Sequence, residues 1–214
     1  MNDDQPDERE MRRDIESCLA SHAALTEFLR SLDPVDPARP TMLDGWTVGH
    51  VLTHIARNAD GIVSMLDGFE QYPHGAEGRN RDIETGSRRS WAELLDDVTS
   101  TSATLDARLS EHDVDWSGTV TMLPGVRPKA SLPLMRQREV EVHRADLGLG
   151  YGFADMPGDY VRRDLRLMGM FWQARKPMGL TPLPDAALAL DPPTRLSWMM
   201  GRIEIDGLEP ANLF

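Results

Sequence analysis

Apolar residues recur along this chain in long stretches of helical spacing separated by short breaks. Between about residue 8 and Ser31, Ile15, Leu19, Ala23 or Leu25, and Phe28 or Leu29 return every three or four positions, which predicts a long amphipathic helix. The acidic, polar residues Met1 to about Asp7 read as a frayed terminus ahead of it. Asp33 to Pro40, with Pro34, Pro37 and Pro40, predicts a loop. Thr47 then offers an N-cap to a second helix reaching about Gly68, whose inward stripe is Val48, Leu52, Ile55, Ala59, Ile62 and Leu66. Gln71 to Arg88 is rich in Gly, Arg and Asn and nearly aperiodic, so a long loop or a broken helix start is expected. Ser90 or Trp91 opens a third helix to about Leu109, with Leu94, Leu95, Val98, Ala103, Leu105 and Leu109 inward.

The run Thr119-Val120-Thr121-Met122-Leu123, followed by Pro124-Gly125 and Val126, predicts a short hairpin turning at Pro-Gly. A fourth helix runs from about Pro133 to Leu147 and stops at Gly148 and Gly150. Beyond it, Asp159 to Lys176 is amphipathic, a proline-rich linker follows, Ala187 to Leu190 reads as a strand, and Thr194 to Met200 as a short helix. The architecture expected is mainly α: a four-helix bundle over residues 8–150 and a small, abbreviated α/β segment over 151–214.

Composition narrows the function. The chain has 214 residues, 40% hydrophobic and 27% charged, the balance of an ordinary globular protein. A formal charge of −12 without a basic patch opposes binding to nucleic acid. The single cysteine, Cys18, sits in the first helix as a small core residue and cannot form an intrachain disulfide. No signal peptide or membrane-length apolar run is present, so a cytoplasmic protein is expected, a monomer or homodimer without a membrane partner.

The candidate chemistry lies on the second and fourth helices. Glu139 and His143 are four residues apart and leave one helical face a turn from each other, so a carboxylate oxygen and an imidazole nitrogen can converge on one ion. Glu141 projects from the opposite side, where a carboxylate is expected to stay in water. On the second helix, His54 flanks the apolar stripe and can face a cleft between helices. His50 precedes it by one turn, a spacing that zinc sites use and that satisfied interior or surface histidines also show. Because bundles build metal sites between facing helices, His54, Glu139 and His143 together would supply two imidazoles and a carboxylate, leaving a coordination position open for water or a thiol. Asp146 could orient His143 from behind or serve as a helix-end charge. Arg79 and Asn80 could reach an anionic ligand from their loop, or stay solvated.

The segment Asp44-Gly-Trp-Thr-Val-Gly-His-Val-Leu-Thr-His54-Ile-Ala-Arg-Asn58-Ala-Asp60 resembles the signature of the mycothiol-dependent maleylpyruvate isomerases, within the DinB-like metalloenzyme superfamily. Arg79-Asn80, Trp116-Ser117, Arg138-Glu139-Val-Glu-Val-His143-Arg-Ala-Asp146-Leu-Gly148 and Gly201-Arg202 resemble further landmarks in the same order. The resemblance implies a DinB-like four-helix bundle, with zinc or another divalent metal held at His54, Glu139 and His143, and His50 not a ligand. It implies mycothiol or a similar low-molecular-weight thiol as cofactor and an electrophile or dicarboxylate as substrate, with Asn58, Arg79 and Asn80 contacting substrate or thiol. By the same resemblance Arg202 matches a catalytic arginine of the C-terminal domain; a helix-end cation is its other reading. The implied activity is cis-trans isomerisation by thiolate addition to an activated double bond. A thiol S-transferase or a non-catalytic metal-binding bundle are the alternatives. Family enzymes usually continue into a fuller α/β domain, of which the roughly sixty residues after the bundle here would be a shortened version.

Overall fold

A computed structural model of the chain describes residues 7–175, 181–211 and 213–214. It divides into two compact units, Met1–Leu147 and Gly148–Phe214. The bundle of the first unit is made of α1 (Glu8–Ser31), α2 (Val48–Leu66), α4 (Trp91–Leu109) and α5 (Leu132–Asp146). A shorter helix, α3 (Gly75–Gly86), packs on α2. The helices α1 and α5 pack together extensively, as do α2 and α4, while the α1–α4 and α2–α5 contacts are slimmer.

Local chemistry explains the helix starts. The Asp7 side chain accepts from the Arg9 N–H at 2.8 Å to cap α1, and Ser90 and Glu93 form a reciprocal capping box on α4. At Thr47, the backbone N–H donates to His50 Nδ1 at 3.2 Å and the hydroxyl lies 2.8 Å from the same nitrogen. His50 therefore belongs to the helix cap, and its Nε2 sits 3.2 Å from Glu84 on α3. The remainder of the acidic amino-terminal stretch, residues 1–6, lies outside the described residues.

Two strands, β1 (Thr119–Met122) and β2 (Gly125–Pro128), pair antiparallel with Met122 opposite Gly125. The turn is thus Leu123-Pro124, one residue earlier than the Pro-Gly turn the sequence suggests. Gly125 opens β2 with φ of 119°, a conformation an L side chain rarely takes. Val120 and Met122 point from this hairpin into a core with Cys18, Ala59, Ile62, Met65, Leu66, Leu105, Leu109 and Leu132. That apolar mass occupies the end of the bundle where α2 and α4 finish and α5 begins. Cys18 is fully buried there, and burial pushes its thiol up to about 12, as suits a core residue.

The segment Gln71 to Arg88 is more regular than its composition suggests. Residues 75–86 form α3, and Gly86 at its end and Gly49 on α2 mark the close approach of the two helices. A Cβ on Gly86 would stand 2.5 Å from Thr53 Cγ2, and one on Gly49 of α2 would stand 2.0 Å from the Ser87 carbonyl oxygen. Glycine lowers helix propensity, but the packing it permits outweighs that cost here.

In the second unit, α6 (Gly158–Gln173), α7 (Asp185–Leu188) and α8 (Pro192–Met199) follow a 3₁₀ turn at Phe153–Asp155. The Trp172 and Trp198 rings meet at 5.3 Å. The proline-rich linker falls in part on residues 176–180, outside the described residues. The strand expected at Ala187 to Leu190 is instead the last two residues of α7 and the turn that follows it. Ala and Leu favour helix, and Arg195 donates to the carbonyls of Ala187, Leu188 and Leu190, closing that helix end. The mainly helical class is as expected, and among the described residues the small sheet lies in the bundle unit. No helix among the described residues is long and apolar enough to cross a membrane.

Candidate metal centre

His54 lies in the first half of α2, with Glu139 at the middle and His143 in the second half of α5, which runs antiparallel to it. Both imidazoles are buried, while the Glu139 side chain keeps a fifth of its surface open. His54 Nε2 is 2.9 Å from Glu139 Oε2 and 3.1 Å from His143 Nε2. The third side, His143 Nε2 to Glu139 Oε2, measures 3.3 Å. Two imidazole nitrogens and a carboxylate oxygen therefore meet at one point, all within 4.8 Å of one another.

Both imidazoles are contacted from behind, with opposite effects on their tautomers. Asp146, itself buried, places Oδ2 2.9 Å from His143 Nδ1. That contact holds a proton on Nδ1, so the lone pair of the neutral ring sits on Nε2 and points to the shared centre. Trp46 presents its ring to His54 at 5.5 Å in an edge arrangement. On the other flank, Arg79 Nη2 donates toward His54 Nδ1 at 3.0 Å, and Arg79 Nη1 donates to Asn80 Oδ1. Guanidinium cannot accept, so in this arrangement His54 Nδ1 is the acceptor and its proton sits on Nε2, donated to Glu139.

The electrostatics follow from these contacts. Burial disfavours the Glu139 charge, but the two imidazoles beside it, His143 in its protonated form and His54 through its Nε2 proton, override it and hold the carboxyl well below its usual range. Burial lowers His54 despite the Glu139 hydrogen bond. For His143, burial also acts downward, and the hydrogen bonds to Asp146 and Glu139 win, leaving the ring above an ordinary imidazole. An anionic oxygen between two imidazoles suits a divalent cation, for which carboxylate and neutral imidazole are good partners.

The remaining sequence-derived residues are placed as follows. Asn58 is buried one turn beyond His54, and its Oδ1 accepts from Arg136 at 2.8 Å. Asn80 is exposed on α3 beside Arg79. Arg202 lies in the second unit, where Nη1 donates to the Met200 carbonyl at 2.7 Å and the guanidinium stands 5.4 Å from the Phe214 ring centroid. Glu141 corrects an expectation: it is buried, and accepts from the Ser21 hydroxyl of α1 at 2.5 Å. Two residues near the centre escape a reading based on ligand types. Trp46 sits inside the recognised segment, and Arg136 precedes Glu139 by three positions on the same helix. Helical spacing alone would have placed Arg136 near that carboxylate.

A bundle with a buried two-histidine, one-carboxylate cluster between facing helices defines the class: a helical scaffold built around an interior metal-type site. Residues 18–148 match the family described as mycothiol maleylpyruvate isomerase N-terminal domain, and the chain belongs to that family. In fold it is similar to crystal structures of the mycothiol-dependent maleylpyruvate isomerase and of a mutant of that enzyme. Each superposes with a TM-score of 0.70 at 24% identity, over 80% of this chain and 73% of that one. No curated protein sequence matches the chain.

Proposed function

We propose that the chain is a zinc- and thiol-dependent cis-trans isomerase acting on a small activated alkene of the maleylpyruvate type. The observation that carries this reading is the convergence of His54, Glu139 and His143 on one centre in a chain of this family. Three donors of this kind would hold zinc or a similar dication with a coordination position left open, the pattern of catalytic rather than structural sites. When bound, the dication would supply charge that keeps a thiol ionised near neutral pH. Mycothiol or a similar thiol would supply the nucleophile whose addition and departure make the double bond transiently rotatable.

The chain's own residues do the rest. Glu139 brings a charge that is already ionised, so no proton need be removed from it when a cation enters. Asp146 fixes the ring of His143 and the tautomer that exposes Nε2. Arg79, with Asn80 beside it, places a guanidinium next to the centre, where it would draw in anionic substrate or thiol. Asn58, buried one turn from His54 with its Oδ1 taken by Arg136, is proposed to contact substrate or thiol through its amide. Arg202, in the second unit, is proposed to bind a substrate carboxylate. A cytoplasmic setting, in which thiols stay reduced, fits a chain with one buried cysteine.

Elemental analysis is expected to give about one zinc per chain, lost in His54→Ala and in His143→Ala while circular dichroism stays helical. Zinc-loaded protein with mycothiol and maleylpyruvate should yield the trans isomer with the thiol returned unmodified. A stable thiol adduct in the mass spectrum would assign the same centre to S-transfer. Full activity in metal-free protein would refute the reading altogether.

A further inference from the structure

We infer that Arg136 is the positioning residue that sets the spacing between the two helices carrying the cluster, an inference that rests on the metal-centre reading above. Arg136 sits on α5 one turn before Glu139 and is fully buried. Its Nη1 donates at 2.8 Å to two acceptors on α2, the Ile55 carbonyl and Asn58 Oδ1. Ile55 is the neighbour of His54 and Asn58 lies one turn on, so both ends of this tie fall within a turn of the donor atoms they would hold in register.

The same guanidinium continues across the bundle. Its Nε donates to His22 Nε2 on α1 at 2.8 Å, and His22 Nδ1 stands 2.5 Å from Asp106 Oδ1 on α4. Because His22 Nε2 accepts, its proton is on Nδ1 and is donated to Asp106. One side chain from each bundle helix, together with one backbone carbonyl of α2, thus joins a single chain of hydrogen bonds.

Stability alone gives a poor account of this arrangement. The direct partners of Arg136 are a carbonyl, an amide oxygen and an imidazole, none of them a carboxylate, and its Nη2 is buried without a partner among the described residues. A buried cation held in this way is commonly no more stable than a well-packed apolar side chain. What a guanidinium offers is a planar fork of fixed length. Such a spacer matters most where packing is thinnest, and α2 and α5 pack on each other less than α2 on α4 or α1 on α5.

The test uses the full chain in three variants: Arg136→Met, Arg136→Lys and, as a control, Arg57→Ala, which breaks the 2.6 Å pair with Asp97 that links α2 to α4. Metal-free protein is read by the nuclear Overhauser contact between the His54 and His143 rings, whose centroids are 4.7 Å apart. Cobalt affinity is read by chelator competition. Arg136→Met should keep helical circular dichroism and cooperative unfolding, lose the ring contact, and bind cobalt roughly 10- to 100-fold more weakly. Lysine, which restores charge without the fork, should rescue only part of this. Arg57→Ala should lower the urea midpoint and leave both site readouts unchanged. If Arg136→Met fails to fold, Asn58→Ala removes one acceptor and should weaken the ring contact and cobalt binding in the same direction. An intact ring contact with unchanged cobalt affinity in the folded variant overturns the inference. If the wild-type chain binds neither cobalt nor zinc, the metal-centre reading fails, and the ring contact alone decides the role of Arg136.

Discussion

At the scale of single residues, the most informative contact is the one between Arg79 and His54. Ligation through Nε2 needs the His54 proton on Nδ1, and Nδ1 now faces an arginine N–H at 3.0 Å. Two donors cannot share that contact, so Arg79 in this position and His54 as a ligand compete. Arg79→Met should therefore tighten zinc binding, by roughly fivefold if the lost hydrogen bond is worth about 1 kcal/mol. The same variant should turn over substrate more slowly, since the cation proposed to draw in the anion is gone. Chelator competition and steady-state rates measure the two effects separately, and weaker zinc binding would show that Arg79 supports the ligand instead of competing with it. The sequence marks Arg79 as a possible anion contact, but its opposition to His54 depends on a ring and a guanidinium brought together across 25 positions. Glu141 shows the same limit from the other side: its helical position sets it opposite Glu139, yet whether that side meets water or Ser21 depends on where α1 lies.

At the scale of elements, helices with an apolar stripe and a capping residue are legible, and those without are not. The four bundle helices follow from periodicity and from Thr47 and Ser90 at their starts. In contrast, α3 carries too few apolar residues for its own pattern to declare it, and its C-terminal end is set close to α2 at Gly86 and Gly49. Gly49→Ala would drive a methyl group against the Ser87 carbonyl and push α3 from α2. A destabilisation of about 1–3 kcal/mol is expected from overpacking of this kind, measured by urea unfolding. Because Arg79 rides on α3, its contact with His54 should loosen as well. Unchanged stability would mean that the α2–α3 approach yields without cost. The C-terminal segment gives the opposite lesson: Ala187 to Leu190 has the length of a strand, and the carbonyl contacts of Arg195 decide for helix.

At the scale of the whole molecule, every group placed at or beside the candidate centre belongs to the first compact unit, from Trp46 and His54 through Arg79 and Arg136 to Asp146. A chain ending at residue 150 is expected to fold and to bind zinc within about threefold of the intact protein, as local coordination and its supporting contacts are all retained. It should be inactive if Arg202 binds the substrate carboxylate as proposed. Chelator competition and turnover of the two chains check this, and loss of zinc binding on truncation would move part of the site into the second unit. The sequence by itself determined the bundle helices, the hairpin, and the shared face of Glu139 and His143, because helical spacing and capping are encoded within a few neighbouring residues. Only the tertiary structure decided which faces of α5 are buried, that Arg136 ties it to α2, and that His50 serves a helix cap while His54 meets the cluster. Those outcomes depend on groups far apart in the chain, and no local pattern records which of them packing will bring within hydrogen-bonding reach.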